Sequence, residues 1–218
     1  MNTFPGFLSS SIGRKLLMGL TGLFLCSFLV VHFTGNLLLF KSDGGVAFDA
    51  YSEFMATNVI TRTIEIGLFA GLFLHSALGI YLWRTNRKVR NQPYSGKPES
   101  VPSTLASRLT FVTGSIIFFF LVVHLRTFFF PSRFSSEELS MYQLVRDSFT
   151  SPLYSGFYVV ALVVLGYHLR HGFQSAFQTF GVRGQRYLPL IEAIGFVFWF
   201  LIPLGFAAMP LYFLFGMS

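Results

Sequence analysis

The chain has 218 residues, 53% of them hydrophobic and only 11% charged. An average soluble domain carries roughly 25% charged residues, so a soluble globular protein is excluded. The net charge of +7 does not indicate nucleic acid either, because the basic residues sit in short segments between apolar runs, where they report topology and contact with anionic headgroups.

A bilayer-spanning helix needs about 20 mostly apolar residues. Five runs qualify in chain order, at about 15–40, 64–83, 109–130, 153–173 and 190–214, the last interrupted by Pro203 and Pro210. Backbone satisfaction in lipid makes each a helix. The expectation is a single transmembrane domain over residues 1–218, an all-α bundle of five spanning helices. The first run is too long for a signal peptide, and no small-residue cleavage site follows it. The lone Cys26 permits no intrachain disulfide, and no CxxCH motif is present for covalent haem attachment.

Lys and Arg set the direction of insertion. Eleven basic residues fall in the N-terminal segment, the polar 84–108 loop and the 170–189 loop. The opposite side holds five basic residues and most of the acids, including Asp43, Asp49, Glu53 and Glu65. The N-terminus is therefore expected in the cytoplasm and the C-terminus outside.

All five histidines lie in or at the end of apolar runs. An ionisable side chain inside a membrane costs several kcal/mol unless it is paired or coordinated. Runs one and three are directed outward and runs two and four inward. At about 1.5 Å of rise per residue, His32 and His124 then share an outer depth, and His75 and His168 share an inner one. Two imidazoles per layer from facing helices are the ligands of a six-coordinate haem. An internal repeat accompanies this pairing. Thr21-Gly22 precedes FLVVH ending at His32, and Thr113-Gly114 precedes the same FLVVH ending at His124. The partner offsets are 92 residues from His32 to His124 and 93 from His75 to His168, and Gly79 and Gly172 follow His75 and His168 by four. A single intramembrane histidine can equally be a helix–helix hydrogen bonder; four at two matched depths favour ligation. His171, three residues after His168, is the spare, suited to a propionate contact, a cap or the lipid interface.

The stretches GRKLLMGLTGLFLCSFLVVHFTGNLLLF, EIGLFAGLFLHSALGIYLW and YHLRHGFQSAFQTFG resemble the dihaem cytochrome b membrane subunit of succinate:quinone oxidoreductases. The similarity is to the five-helix, single-anchor type of succinate dehydrogenase and quinol:fumarate reductase in menaquinone-using bacteria. It covers essentially the whole chain and is weakest in the fifth run. The resemblance implies two non-covalent b haems, with His32 and His124 on the distal one and His75 and His168 on the proximal one. It also implies a flavoprotein and an iron–sulfur subunit docked on the cytoplasmic side, menaquinone as the membrane substrate, and residence in a bacterial inner membrane, with a higher oligomer of the whole complex possible. This chain would carry electrons between the iron–sulfur partner and quinone; the flavin chemistry lies elsewhere, since no dinucleotide fingerprint or cysteine cluster occurs here.

Quinone chemistry also moves protons, and Glu53 and Glu65 are the candidate acids, each equally readable as an interfacial carboxylate. Arg126, Arg170 and Arg108 have depths suited to haem propionates, or to snorkelling anchors. Gly166 stands near His168 where some dihaem relatives carry an acid linked to proton movement. Two other readings compete: the dihaem cytochrome b anchor of a nitrate reductase, formate dehydrogenase or hydrogenase, and a histidine-based metal transporter.

Overall fold

The computed structural model describes residues 10–90, 105–135, 139–182 and 184–216. Lys97, Glu137, Glu138 and Arg183, which entered the charge count above, and loop residues 91–104 lie outside the described residues, as do the side chains of residues 89–90 and 105–108. Nine α-helices are described: α1 (Ser11–Asn36), α2 (Val46–Thr57), α3 (Val59–Arg90), α4 (Leu105–His124), α5 (Phe130–Phe134), α6 (Met141–Phe149), α7 (Pro152–Thr179), α8 (Leu188–Phe196) and α9 (Ile202–Leu214). No strand occurs among the described residues.

Five helical segments are long and apolar enough to cross a membrane: Ser11–Phe40, Val59–Lys88, Leu109–Phe134, Pro152–Thr179 and Leu188–Leu214. Each contains one expected run and most outreach it by several residues, because polar residues continue the helices past the apolar stretch. Local chemistry starts them. Ser10 Oγ accepts from Gly13 N at 3.0 Å, and Asn58 Oδ1 accepts from Ile60 N at 3.0 Å and Thr61 N at 3.2 Å. Ser151 caps α7 immediately before Pro152, the position where a missing N–H costs nothing. Helix α3 continues to Arg90, so the loop expected at residue 84 begins as helix.

Spans three and five are not uniform α-helix. Residues Leu125–Phe129, directly after His124, form a π-turn that leads into α5. Residues Val197–Leu201 form a second π-turn between α8 and α9. Pro203 follows it in the first turn of α9, and Pro210 is accommodated inside that helix. Extra residues of this kind are the usual response to a proline or an inserted side chain. The carbonyl of Trp199, in this second turn, lies against Gly166 of α7: a Cβ added there would meet that oxygen at 2.6 Å.

Helix α7 is the centre of the bundle. A third of its most apolar window is buried, against none for spans two and three. It packs against α1, α4 and the fifth span. The outward faces carry exposed Val, Ile, Leu and Phe, such as Phe73, Phe119 and Val163, as a lipid-facing surface requires.

The two ends of the bundle differ. Helices α2 and α6, which lie in segments read only as loops in the sequence, pack against each other across one end. Beneath them is a buried cluster of Leu39, Phe48, Phe128, Tyr142, Val145, Phe149, Tyr158, Met209 and Phe213. Asp49 of α2 locks this cap by accepting from Ser140 Oγ at 2.6 Å and from Tyr142 N at 2.7 Å. Gly45 precedes α2 with φ of 93°, and the Tyr142 ring fills the space its Cβ would need. We call this the capped end and the other the open end. A side chain at Gly45 meets both a left-handed backbone, costing about 1–2 kcal/mol, and the Tyr142 ring. Gly45→Ala is therefore expected to lower the melting temperature of the detergent-solubilised protein by several degrees, whereas alanine at Gly44, which has open space and a similar φ, should cost less.

Candidate functional site

Helices α1, α3, α4 and α7 each carry one of the four histidines, and the structure brings them together in the expected pairs. The rings of His32 and His124 lie with centroids 5.8 Å apart and planes at 87°. Those of His75 and His168 lie 6.4 Å apart at 74°. Two imidazoles on opposite sides of one metal ion, with metal–nitrogen bonds of about 2.0–2.1 Å, place their centroids about 6.3 Å apart. Both pairs are close to that spacing. It is also the spacing of an ordinary edge-to-face aromatic pair, so separation alone does not distinguish the two.

The hydrogen bonds add a second feature, the tautomer of three of the rings. Thr21 Oγ1 donates to the carbonyls of Leu17 and Met18, at 2.9 and 3.0 Å, and lies 3.2 Å from His75 Nδ1. Its single proton is already engaged with its own helix, so toward His75 it is an acceptor. His75 therefore carries its proton on Nδ1 and a lone pair on Nε2. Thr113 repeats the arrangement. Its Oγ1 donates to Leu109 O and Thr110 O, each at 3.1 Å, and accepts from His168 Nδ1 at 3.3 Å. At His124 the same deduction runs through two tyrosines. Tyr154 donates to Thr127 Oγ1 at 2.9 Å, so the 3.0 Å contact between the phenols is donated by Tyr158. Tyr158 then accepts from His124 Nδ1 at 3.2 Å. Three rings thus hold the tautomer of a metal ligand, protonated on the nitrogen away from the metal and tied through it to the protein.

His32 differs. Asn36 Nδ2 donates to the His32 carbonyl at 2.7 Å and approaches His32 Nδ1 at 3.4 Å. An amide nitrogen cannot accept, so this contact makes Nδ1 the acceptor. For His32 to present a bare Nε2, the Asn36 side chain must turn. His32 fits by its place in the pair and by its packing against Phe28 and Phe206, each 5.4 Å away, rather than by its tautomer.

The contacts also fix the two levels. Thr21 lies beside His75 and is eleven residues from His32 on α1; Thr113 lies beside His168 and is eleven residues from His124 on α4. On antiparallel α7, Tyr158 lies beside His124 and is ten residues from His168. Three helices therefore measure the separation of the pairs at about 15–17 Å along the axis. The His32–His124 pair is nearer the capped end, and the His75–His168 pair is nearer the open end. Among the described residues, no three His, Cys, Asp or Glu side chains converge on one point. Each pair could supply two opposed ligands and no more, which suits a metal whose other ligands come from a macrocycle. The added Cβ of Gly22 would meet His75 Cε1 at 3.3 Å, that of Gly114 would meet His168 Cε1 at 3.5 Å, and that of Gly172 would meet nothing within 4 Å.

The remaining candidates fall in varied places. Glu65 forms ion pairs with Arg133 at 2.6 Å and Arg62 at 3.0 Å. The Arg133 and Glu65 side chains are only 12% and 18% exposed, so this is an enclosed structural pair rather than a surface one. Glu53 is exposed on α2. Arg126 is exposed with its guanidinium 6.0 Å from the Phe130 ring, and Arg170 is exposed with its own 5.2 Å from Trp199. His171 is half-buried, nearly one turn beyond His168. The Arg108 side chain lies outside the described residues. Sequence reasoning did not assign roles to Thr21, Thr113, Tyr158 or Asn36, although the repeated Thr-Gly pair was the visible trace of the first two. It also missed Arg14, whose Nε is buried without a hydrogen-bond partner while its guanidinium stands 4.7 Å over Tyr81. Arg14 is two turns from Thr21 on the same face of α1, toward the open end.

No protein-family model matches the chain, and no curated protein or solved structure matches it.

The two candidate acids are separable by experiment. Glu65→Gln leaves Arg133 enclosed without its counter-charge and is expected to cost about 2 kcal/mol, read as a lower melting temperature in detergent. Glu53→Gln, on an exposed surface, is expected to change stability by less than about 0.5 kcal/mol.

Proposed function

We propose that this chain is the membrane-anchor cytochrome b of a succinate:quinone oxidoreductase, holding two b haems and passing electrons between an iron–sulfur subunit and a membrane quinone. The observation that carries this reading is the pair of histidine pairs, each at the spacing of opposed imidazole ligands, three of the four rings holding a bare Nε2. His75 with His168 would hold one haem and His32 with His124 the other. When bound, the haems supply one-electron carriers at two depths. The chain's own residues do the rest: four helices fix the two levels, Thr21, Thr113 and Tyr158 orient three rings, and Phe28, Phe120, Phe128 and Phe206 wall the His32–His124 pair from water. The similarity of three stretches of sequence to the succinate:quinone oxidoreductase anchors names the partner complex; without it the geometry would support a dihaem cytochrome b of any respiratory enzyme.

Orientation follows from charge. The open end gathers Arg14, Lys15, Arg84, Arg87, Lys88, Arg170 and Arg186, and the capped end gathers Asp43, Asp49, Glu53, Glu65 and Asp147. In the positive-inside orientation the open end is cytoplasmic, in a bacterial inner membrane, with the flavoprotein and iron–sulfur subunits docked there and the capped end outside. Quinone, menaquinone by the resemblance, would then exchange electrons near the His32–His124 pair. Glu65 is committed to its two arginines, which leaves Glu53, exposed beside Phe54, as the carboxylate to exchange protons at that end. The absence of three-ligand clusters among the described residues counts against a metal transporter.

The test is optical and stoichiometric. Purified complex is expected to show a b-type reduced-minus-oxidised band and two haems per chain by pyridine haemochrome. His32→Ala and His124→Ala should each remove one and the same haem, and His75→Ala and His168→Ala the other. A flavinylated subunit is expected to co-purify; a molybdenum or nickel protein in its place would assign the cytochrome to another respiratory enzyme. A preparation without haem would overturn the reading.

A further inference from the structure

We infer that Thr21 and Thr113 are matched positioning residues that tune the His75–His168 pair, each hydroxyl accepting the Nδ1 proton of one ligand while bonded to its own helix. The inference rests on the haem-binding reading above and extends it to residues that act through the proposed ligands.

Five observations converge on it. The two hydroxyls meet the two rings at nearly equal distances, 3.2 and 3.3 Å. Each is a bifurcated donor to the carbonyls three and four residues earlier, so neither can rotate to donate to the ring without abandoning both bonds. Each is followed by a glycine that faces the edge of that same ring: a Cβ at Gly22 would crowd His75 Cε1 at 3.3 Å, and one at Gly114 would meet His168 Cε1 at ordinary contact, 3.5 Å. Both threonines are themselves buried, at 8% and 9% exposure, so water has little access to either hydroxyl. The same Thr-Gly pair, at the same distance before FLVVH, occurs in both halves of the chain. The repeat therefore marks a ligand of one level and the holder of a ligand of the other level, both on a single helix.

The chemical effect follows from the direction of the bond. An imidazole whose N–H is accepted by a fixed oxygen is a stronger donor through its other nitrogen, and its ring plane is fixed. A stronger donor favours the ferric over the ferrous state. Removing the acceptor should therefore raise the midpoint potential of that haem. The other pair has no such matched set. His124 leans on Tyr158, and His32 faces an amide donor.

Thr21→Val and Thr113→Val keep the branched shape and remove the acceptor; Thr21→Ser keeps the acceptor and removes the methyl. Redox titration and low-temperature EPR of the intact complex read the outcome. Each valine variant is expected to retain two haems and to shift one haem's ferric-to-ferrous preference about threefold, which at 59 mV per tenfold is roughly 30 mV upward. The EPR signal of that haem should move with it, the other haem should be unchanged, and Thr21→Ser should restore the wild-type values. Valine variants holding both haems at unaltered potentials and EPR signals would overturn the inference while leaving the two-haem reading intact. A valine variant that loses one haem while Thr21→Ser keeps both supports the inference, and loss in both overturns it. Wild-type complex without two haems would remove the underlying reading itself.

Discussion

A histidine ring lowered into hydrocarbon gives up its hydrogen bonds to water, and each unsatisfied polar nitrogen costs several kcal/mol. This chain places four such rings inside its spans. Each Nδ1 finds a partner within the bundle, and the identity of that partner decides what the other nitrogen can do. A threonine whose proton is already bound to its helix can only accept, and a tyrosine whose proton is already donated to a second tyrosine can only accept as well. Serine and threonine hydroxyls in spanning helices commonly fold back onto the preceding turn. Here that habit becomes a way of choosing a tautomer through an uncharged partner.

Helix geometry converts these local choices into a layered site. Because a straight helix rises at a constant rate, a span with features eleven residues apart marks two depths, and neighbouring spans agree if their markers have equal spacing. Span five carries no histidine but packs against two helices that do, on α7 through the Trp199 carbonyl against Gly166 and on α1 through Phe206 against His32. The missing carboxylate at Gly166 thus has a structural counterpart: the position is filled by backbone from the next helix, and no side chain fits there.

Much of this was legible in the sequence. Spans follow from apolar length because lipid allows the backbone no other solution, and the histidine pairs follow from span direction and helix rise. What escaped depends on contacts between segments far apart in the chain. Glu65 and Arg133 are 68 residues apart, so their ion pair leaves no local pattern, and Glu65 read equally well as a proton donor. Helices α2 and α6 are short and were concealed within polar connections; their pairing rests on Asp49 reaching residues more than 90 positions away. Thr21 and Thr113 were visible as a repeat, but their role requires knowing that α1 faces α3 and that α4 faces α7. The departure of His32 is not visible at all in sequence, since Asn36 on the next turn reads as a natural neighbour.

The π-turn after His124 has a consequence for how this protein tolerates changes in length. In an unbroken α-helix, His124 and Arg133, nine residues apart, would point in nearly opposite directions. The turn at Leu125–Phe129 absorbs one residue and brings that angle to roughly a quarter turn, so one span serves the histidine pair with one side and the Glu65 carboxylate with another. Deleting a single residue from this stretch would close it into regular α-helix and leave Arg133 eight positions after His124, which is the same quarter turn. His124 and Arg133 would keep their relative directions, so the ion pair with Glu65 tolerates that first loss. A second lost residue would find no extra residue left to absorb it and would rotate everything beyond by about 100°, carrying Arg133 off its partner.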